Sequence, residues 1–468
     1  MFDVLIIGAG LSGLTSAYKI LKKEPSLTIK ILEANNTIGG QIATSKSNEE
    51  LGGRKLTADQ THIYNLLTEF EVHMKRHLPI SKNLKRSWSL DIGNFAFIAK
   101  LELQRYMNHL DLRSQLFRPG TYELKSEDRK YTMCHHINDS MLFQNSRKFM
   151  KSFVRLVTGV DANDISFVEF MNIVHSCGNL KSLMKLYIEP SNSVFEFSSE
   201  QLLGVFLARL EPVSIKRQSK VVEVCHHNDY VEVTETNGSI HCARVVILAI
   251  PCNQIEDIFI TPPIPLEYEI PYLGDKYYIT SFLVEYDEPH WRRGGFSGSF
   301  YSADPPIFAQ QHKQTSLVGY VMHEHGFELL IRSILLKSLA ESFGKEMTEP
   351  VKYHQQTFEQ ISLMNLPCTT PWNRIIWSST SMATLYRGCL NGAVQSGLRA
   401  AVHALLILRP QSVIWQDLAE IQKASVVYRY PSHWDLMKSS WNVYNTAVYS
   451  TIALVAFCML RYRHKIFN

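Results

Sequence analysis

Asp3 to Ile7 is a short apolar run that leads directly into Gly8-x-Gly10-x-x-Gly13, and the glycines lead into a helical stretch, Leu14 to Leu21. A second apolar run, Thr28-Ile-Lys-Ile-Leu-Glu33, ends on a carboxylate twenty residues past Gly13. No other feature constrains the fold as much, because strand, turn, helix, strand and acid stand in one register. Gly8 permits a tight turn, Gly10 lets backbone approach a phosphate, and Gly13 lets the helix pack close to its strand. The helix N-terminus then offers free N–H groups and a partial positive charge to an anion, with Leu11 and Ser12 counted among the cofactor-binding positions. Glu33 falls where a ribose hydroxyl would be held. The run therefore predicts a Rossmann-type unit with a bound dinucleotide.

The length of 468 residues implies two or three domains and a substantial core. With 45% hydrophobic and 20% charged residues the chain reads as folded. A formal charge of +4, with no run of five or six like charges, is too small to argue for nucleic acid, and no nucleic-acid partner is expected. The eight cysteines (134, 177, 225, 242, 252, 368, 389, 458) follow neither a disulfide framework nor a paired metal spacing. With no signal peptide, they read as reduced thiols in a cytosol-facing protein. Cys134-His-His136, Cys225-His-His227 and His323-Glu-His325 are read as strand triplets whose alternating side chains do not converge on an ion, so no metal is expected.

Trp441 to Leu460 is twenty residues without a charge, followed by Arg461, Arg463, His464 and Lys465. As a helix it would be roughly 30 Å long, enough for a bilayer core, and Trp441, Tyr444 and Tyr462 suit the interfaces. A buried terminal helix is the alternative. The reading is a tail anchor with the body facing the cytosol, in the mitochondrial outer membrane or, alternatively, the endoplasmic reticulum.

Between the ends the pattern is α/β. Ile63 to Leu78 reads as helix, as do several pieces of Phe149 to Met184. Lys220 to Val224 reads as a strand, followed by a hairpin turning at Asn237-Gly238. Arg244 to Pro251 reads as a separate strand buried on both faces, returning to the nucleotide-binding sheet. Ile279 to Tyr286 reads as strand and Phe327 to Phe343 as one long helix.

After Glu33 come Ala34, then Gly39-Gly40-Gln41, and a second glycine pair stands at Gly52-Gly53-Arg54. This layout resembles the flavin-containing amine oxidase family, where a glycine pair is followed by arginine; Gln41 takes that arginine's place. Further stretches resemble the monoamine oxidases in order along the chain. They are Val221 in its strand, Ile250-Pro-Cys252, Thr261-Pro-Pro-Ile-Pro265, Tyr286-Asp-Glu-Pro-His-Trp-Arg-Arg293, Ser379-Thr380-Ser381, Arg387-Gly388-Cys389-Leu390-Asn391-Gly392-Ala393 and Ile414-Trp415-Gln416. The resemblance implies FAD as cofactor, a small-molecule amine as substrate, and a homodimer. It implies that Val221 packs backbone on the adenine and that Gly388 to Leu390 approach the flavin pyrimidine. It implies an FAD-binding, glutathione-reductase-like domain (1–75, 197–270, 367–410) interleaved with an α+β substrate domain (76–196, 271–366). A membrane-proximal segment (411–440) and a membrane span (441–460) would follow.

The departures from the family fall where the reaction occurs. One ring of the family's aromatic cage aligns with Cys368 and the other with Cys389. The covalent flavin cysteine aligns with Pro367, so the FAD is expected to be non-covalent; a thioether to Cys368 is the alternative. The lysine that holds a water on the flavin aligns with Ser281, and the glutamate of the Gly-Thr-Glu turn with Ser381, while Thr380 keeps its hydroxyl. Tyr386 offers an aromatic ring nearby. Three functions are open: an amine oxidase, a catalytically weak or inactive FAD-binding relative with an interaction or regulatory role, and a flavoprotein of the same fold acting on another CH–NH or CH–CH substrate.

Overall fold

The computed structural model describes residues 1–42, 55–76, 84–88, 95–116, 131–187, 194–265, 268, 272–363, 369–422, 450–451 and 454–455. An eight-stranded sheet is built from β1 (Phe2–Ile7), β2 (Ile29–Leu32), β7 (Ser214–Lys216), β8 (Val221–His226), β9 (Val231–Glu235), β10 (Ile240–Leu248), β11 (Phe259–Thr261) and β17 (Ile375–Trp377). Its order is β11-β8-β9-β10-β1-β2-β7, with β17 paired to β10. β1 lies between β2 and β10, parallel to both. Such a central strand must be apolar on both faces. Val4 and Ile6 enter one core with Ile31, Val245 and Ile247, while Leu5 and Ile7 enter the opposite core with Val224, Val246 and Leu248.

The Asn237-Gly238 hairpin forms as expected, with Gly238 at φ 80°. The two strands expected after it are one. β10 pairs antiparallel with β9 over Ile240–Ala243 and then continues beside β1 to Leu248. No turn residue separates the two halves, so the chain has no reason to break.

Helix α1 (Leu11–Lys23) covers the sheet, and α2 (Thr61–Glu69) packs beside it. The helix expected from Ile63 to Leu78 stops at Glu69. Phe70 caps α2, Glu71 turns with φ 54°, and β4 (Met74–Arg76) pairs with β6 (Val194–Phe197), which also pairs with β3 (Lys55–Thr57). Tertiary pairing outweighs helical periodicity there.

A second sheet runs β16-β12-β15-β14-β13-β5, from β5 (Lys85–Trp88), β12 (Tyr272–Glu285), β13 (Phe296–Ala303), β14 (Pro306–Gln311), β15 (Ser316–His323) and β16 (Lys352–Leu363). On one side lie helices α3 (Phe97–Leu116), α4 (Met133–Ser140), α5 (Gln144–Thr158), α6 (Phe167–Ser176) and α7 (Leu180–Tyr187). On the other side, beyond α8 (Ser199–Arg209) and the short α9 (Cys252–Ile255) in sequence, packs α10 (Ile331–Phe343). α10 begins later than Phe327 because residues 327–330 form a turn closed by Leu330 N–H to Phe327 O at 2.9 Å. Two further helices, α11 (Leu390–Leu408) and α12 (Trp415–Gln422), complete the described chain.

Among the described residues no helix is long and apolar enough to cross a membrane. The expected span at 441–460 lies outside the described residues apart from 450–451 and 454–455.

Candidate functional site

The Gly8–Gly13 turn joins β1 to α1 and is held from several directions. Gly8 N–H bonds Leu32 O at 2.8 Å and has φ 103°, where an L side chain is strained. A Cβ on Gly13 would lie 2.1 Å from Gly8 O, so helix and strand approach too closely for any larger residue. Gly10 differs: its added Cβ would meet nothing within 4 Å. That open space lies at the start of α1, which has no side-chain cap. First-turn amides without intrahelical partners face it, and an anion fits.

Gly39 and Gly40 lie on the same turn. Gly39 N–H bonds Ala9 O at 2.8 Å, and a Cβ on Gly40 would come 3.3 Å from Gly10 Cα. Gln41 follows on the surface, and Ala34 is also exposed. Glu33 is buried, and its carboxylate accepts from Ala9 N at 2.7 Å, Asn35 N at 2.9 Å and Asn35 Nδ2 at 3.0 Å. Its rigid placement beside the glycine turn fits a ribose contact. Val221 opens β8 close by, since Ser219 N–H bonds Glu33 O at 2.8 Å and Gln218 N–H bonds Asn35 O at 3.1 Å. Gly52 and Gly53 lie outside the described residues.

The opposite end of the cleft is the start of α11. This helix crosses α1 closely: Ser16 Oγ donates to Gly397 O at 3.0 Å, and a Cβ on Gly397 would lie 2.5 Å from Ser12 O. Ser12 Oγ donates to Ser378 O at 3.2 Å. The start of α1 is thereby packed against α11 about two turns in from its first residue, Leu390. α11 also lacks a side-chain cap; Cys389 is its N-cap, and Gly388 before it has φ 78° with open space around it. Thr380 Oγ1 donates to Cys389 O at 3.1 Å, which fixes that turn, and Leu390 begins the helix. Arg399, whose guanidinium is pushed down to about 10 by burial, donates from Nη2 to Met382 O at 2.7 Å and braces the same loop. Asn391 Oδ1 accepts from His62 N at 2.8 Å, tying α11 to α2.

Buried polar atoms without partners gather on these elements: both amide atoms of Gln60, Ser378 Oγ and Arg387 Nη1. Native interiors rarely leave such atoms unmet. Together with the uncapped helix starts and the open space at Gly10 and Gly388, they fit a polar, anionic dinucleotide lying between α1 and α11. Gln60 was missed from sequence because a lone glutamine carries no motif; only its complete burial marks it.

On the substrate side, Leu385, Tyr386 and Cys389 join the core formed by α3–α7 and the second sheet. Tyr386 has φ 50° and is 2% exposed. Burial, with Cys177, Asp59 and Cys389 nearby, pushes its phenol well up, against a hydrogen bond with Thr57 that lowers it. Ser281 lies mid-strand in β12, opposite Tyr320 and Gln356. By strand alternation it shares a face with Tyr277 and Ile279, which belong to the same core. Cys368 and Pro367 lie outside the described residues.

One assumption about the triplets fails, because Cys134-His-His136 is on α4 and not on a strand. His135 and His136 are engaged instead with Thr132 Oγ1 at 2.8 Å and Tyr106 Oη at 2.7 Å. Among the described residues, the metal-ligating atoms that do gather are those of Asp287, Glu288 and His290, where His290 Nε2 lies 3.0 Å from Asp287 Oδ1.

Comparison with known proteins agrees with this geometry. Residues 11–405 match the family described as flavin containing amine oxidoreductase. The chain is 24% identical over 479 residues to human amine oxidase [flavin-containing] B, covering 89% of each chain. It is 22% identical over 475 residues to a zebrafish (Danio rerio) amine oxidase [flavin-containing], covering 90% of this chain and 89% of that one. Among solved structures, wild-type putrescine oxidase bound to putrescine superposes with a TM-score of 0.72 at 20% identity, covering 87% of this chain and 99% of that one. Cyclohexylamine oxidase from Brevibacterium oxydans gives 0.69 at 18% identity, covering 87% and 99%. With a cleft that fits FAD and a family match over most of its length, the chain belongs to the flavin-containing amine oxidoreductases.

Proposed function

We propose that this protein is an FAD-dependent amine oxidase, converting R-CH2-NH2 with oxygen and water to an aldehyde, ammonia and hydrogen peroxide. The observation that carries the reading is the packing of α1 against α11, two helices without side-chain caps, where the loop leading into α11 places Tyr386 and Cys389 in the core that also holds Tyr277 and Ile279 of β12. Bound FAD supplies the two-electron acceptor and its reoxidation by oxygen.

The chain's own residues hold and shape. Amides of residues 11–13 would hold the pyrophosphate, Glu33 the ribose, Val221 the adenine, and amides at the start of α11 the flavin pyrimidine. Tyr386 gives an aromatic wall, whereas Cys389 leaves a wider, apolar surface than a ring would. Apolar burial there excludes water and favours the neutral amine.

An amine should bleach the flavin anaerobically, and peroxide should appear in air. Failure of primary, secondary and polyamines alike to do either would sink the reading. Ser281 and Cys389 favour a second reading, an FAD-binding relative with weak or no catalysis and an interaction or regulatory role. It predicts bound flavin with peroxide no higher than a buffer blank. With proline at 367 the FAD is held non-covalently, so acid precipitation should release all yellow colour.

The charge-free stretch 441–460 with its basic flank supports a membrane span in the mitochondrial outer membrane. Extraction by alkaline carbonate would count against it. The dimer that the family resemblance suggests is checked by measuring the mass of the detergent-solubilised protein.

A further inference from the structure

Cys177, to which the amine chemistry gives no role, lies beside the segment of Cys389, which lines the proposed site. Cys177 is the C-cap of α6, and Cys389 is the N-cap of α11. They are 212 positions apart (389 − 177), yet their segments are laced together. Tyr386 N–H bonds Ser176 O at 2.9 Å, and Arg387 N–H bonds Ser176 Oγ at 3.1 Å. A buried ion pair, Arg387 Nη2 to Glu169 Oε1 at 3.8 Å, adds a third tie. Cys177 lies in the core against which Cys389 packs.

We propose that Cys177 and Cys389 form a peroxide-oxidisable dithiol whose disulfide locks the two units together across the substrate face. The bonds from Tyr386 and Arg387 to Ser176 hold the two segments together just before each cysteine, and a disulfide there needs a sulfur–sulfur distance of about 2.05 Å. Neighbouring Cys389, with burial, pushes the Cys177 thiol well up and makes it the poorer nucleophile. Cys389 is only partly buried and meets peroxide first.

The steps balance. The Cys389 sulfur attacks the O–O bond of hydrogen peroxide, becomes a sulfenic acid and releases one water. The Cys177 sulfur then attacks the Cys389 sulfur and displaces the second water. Overall, two thiols and one peroxide give one disulfide and two waters, with two electrons passing from sulfur to oxygen. A small-molecule thiol reverses the reaction by exchange. The disulfide pins the N-cap of α11 to α6 and closes the seam against a substrate. Because any source of peroxide serves, the inference does not depend on amine turnover.

The test uses the full-length protein as purified, freed of reductant and treated with hydrogen peroxide without amine. It is then alkylated with iodoacetamide and mapped by non-reducing peptide mass spectrometry. The expected result is a cross-linked peptide pair containing Cys177 and Cys389, with loss of alkylation at both and recovery by dithiothreitol. In Cys177→Ser, Cys389 should pass on to sulfinic and sulfonic acid; in Cys389→Ser, Cys177 should stay alkylatable. A rise in the melting temperature of the oxidised wild type gives a readout that needs no variant. A cross-link from Cys389 to any other cysteine, Cys368 included, overturns the proposal. So does full alkylation of both thiols while Cys225 oxidises. A cross-link without amine turnover keeps this inference and removes the enzymatic one; turnover without a cross-link does the reverse.

Discussion

Gly10 and Gly13 belong to one motif but do different work, and substitution should separate them. Gly13→Ala forces a Cβ to within 2.1 Å of Gly8 O, an overpacking that costs about 1–3 kcal/mol. Gly10→Ala places its Cβ in open space, so stability without flavin should stay within about 0.5 kcal/mol while FAD affinity falls. Thermal melts of flavin-free protein and flavin titrations check both; equal destabilisation by the two would refute the distinction. Ser281 permits a gain-of-function experiment. Its β12 face looks toward the core that holds Tyr386 and Cys389, so Ser281→Lys should speed oxygen-dependent reoxidation by about a hundredfold, the low end of proton-transfer contributions. Stopped-flow absorbance reads the rate, and an unchanged rate would mean that position 281 does not occupy the lysine's place.

At the scale of elements, α12 is held against the flavin unit by one buried carboxylate. Asp417 pairs with Lys19 at 2.9 Å and Lys23 at 2.7 Å, while Gln395 Nε2 and His62 Nε2 reach Ile421 O and Glu420 O at 3.0 and 2.9 Å. Burial alone would raise Asp417, but Lys23, Ile414 N–H and Lys19 outweigh it and hold the carboxyl below its usual range. The sign follows: this stabilisation is full above an unfolded carboxylate value of about 4 and is lost as pH falls through the lower folded value. Lys19 is raised, burial being outweighed by Glu420 and Asp417. Its share is therefore full below an unfolded value of about 10.4 and is lost as pH rises through the folded one. Asp417→Asn should cost about 1–3 kcal/mol, discounted from a fully buried pair because Lys23 is partly exposed. It should also raise hydrogen exchange across residues 411–422 at neutral pH, as should acidifying the wild type through the lowered Asp417 value, below about 4. Exchange that is insensitive to both would show that α12 docks by other contacts.

Across the whole molecule, the core of the second sheet and its helices includes Leu385, Tyr386 and Cys389 from the loop that leads into α11. The two units therefore share a core at the cofactor cleft and are not joined by linkers alone. FAD at a hundredfold excess over its Kd should stabilise the fold by about 2.7 kcal/mol, and the melting transition should move as one. Calorimetry with and without FAD tests this. A substrate unit that melts separately and ignores FAD would contradict the shared core.

The strand–glycine–helix–acid register of residues 3–33 was legible because steric limits on a tight turn leave few residue choices, and those choices are visible in a single chain. The α/β character and the family resemblance were legible for the same reason. Helix length after Ile63 and the fusion of residues 240–248 into one strand were not, because strand partners far away in sequence settle them; the helix that carries Cys134 is opened by a cap at Thr132. Nor did spacing reveal the burial of Gln60, the Asp417 anchor or the contact between Cys177 and Cys389. Local sterics are encoded where they act, whereas encounters between distant segments exist only once the chain has packed.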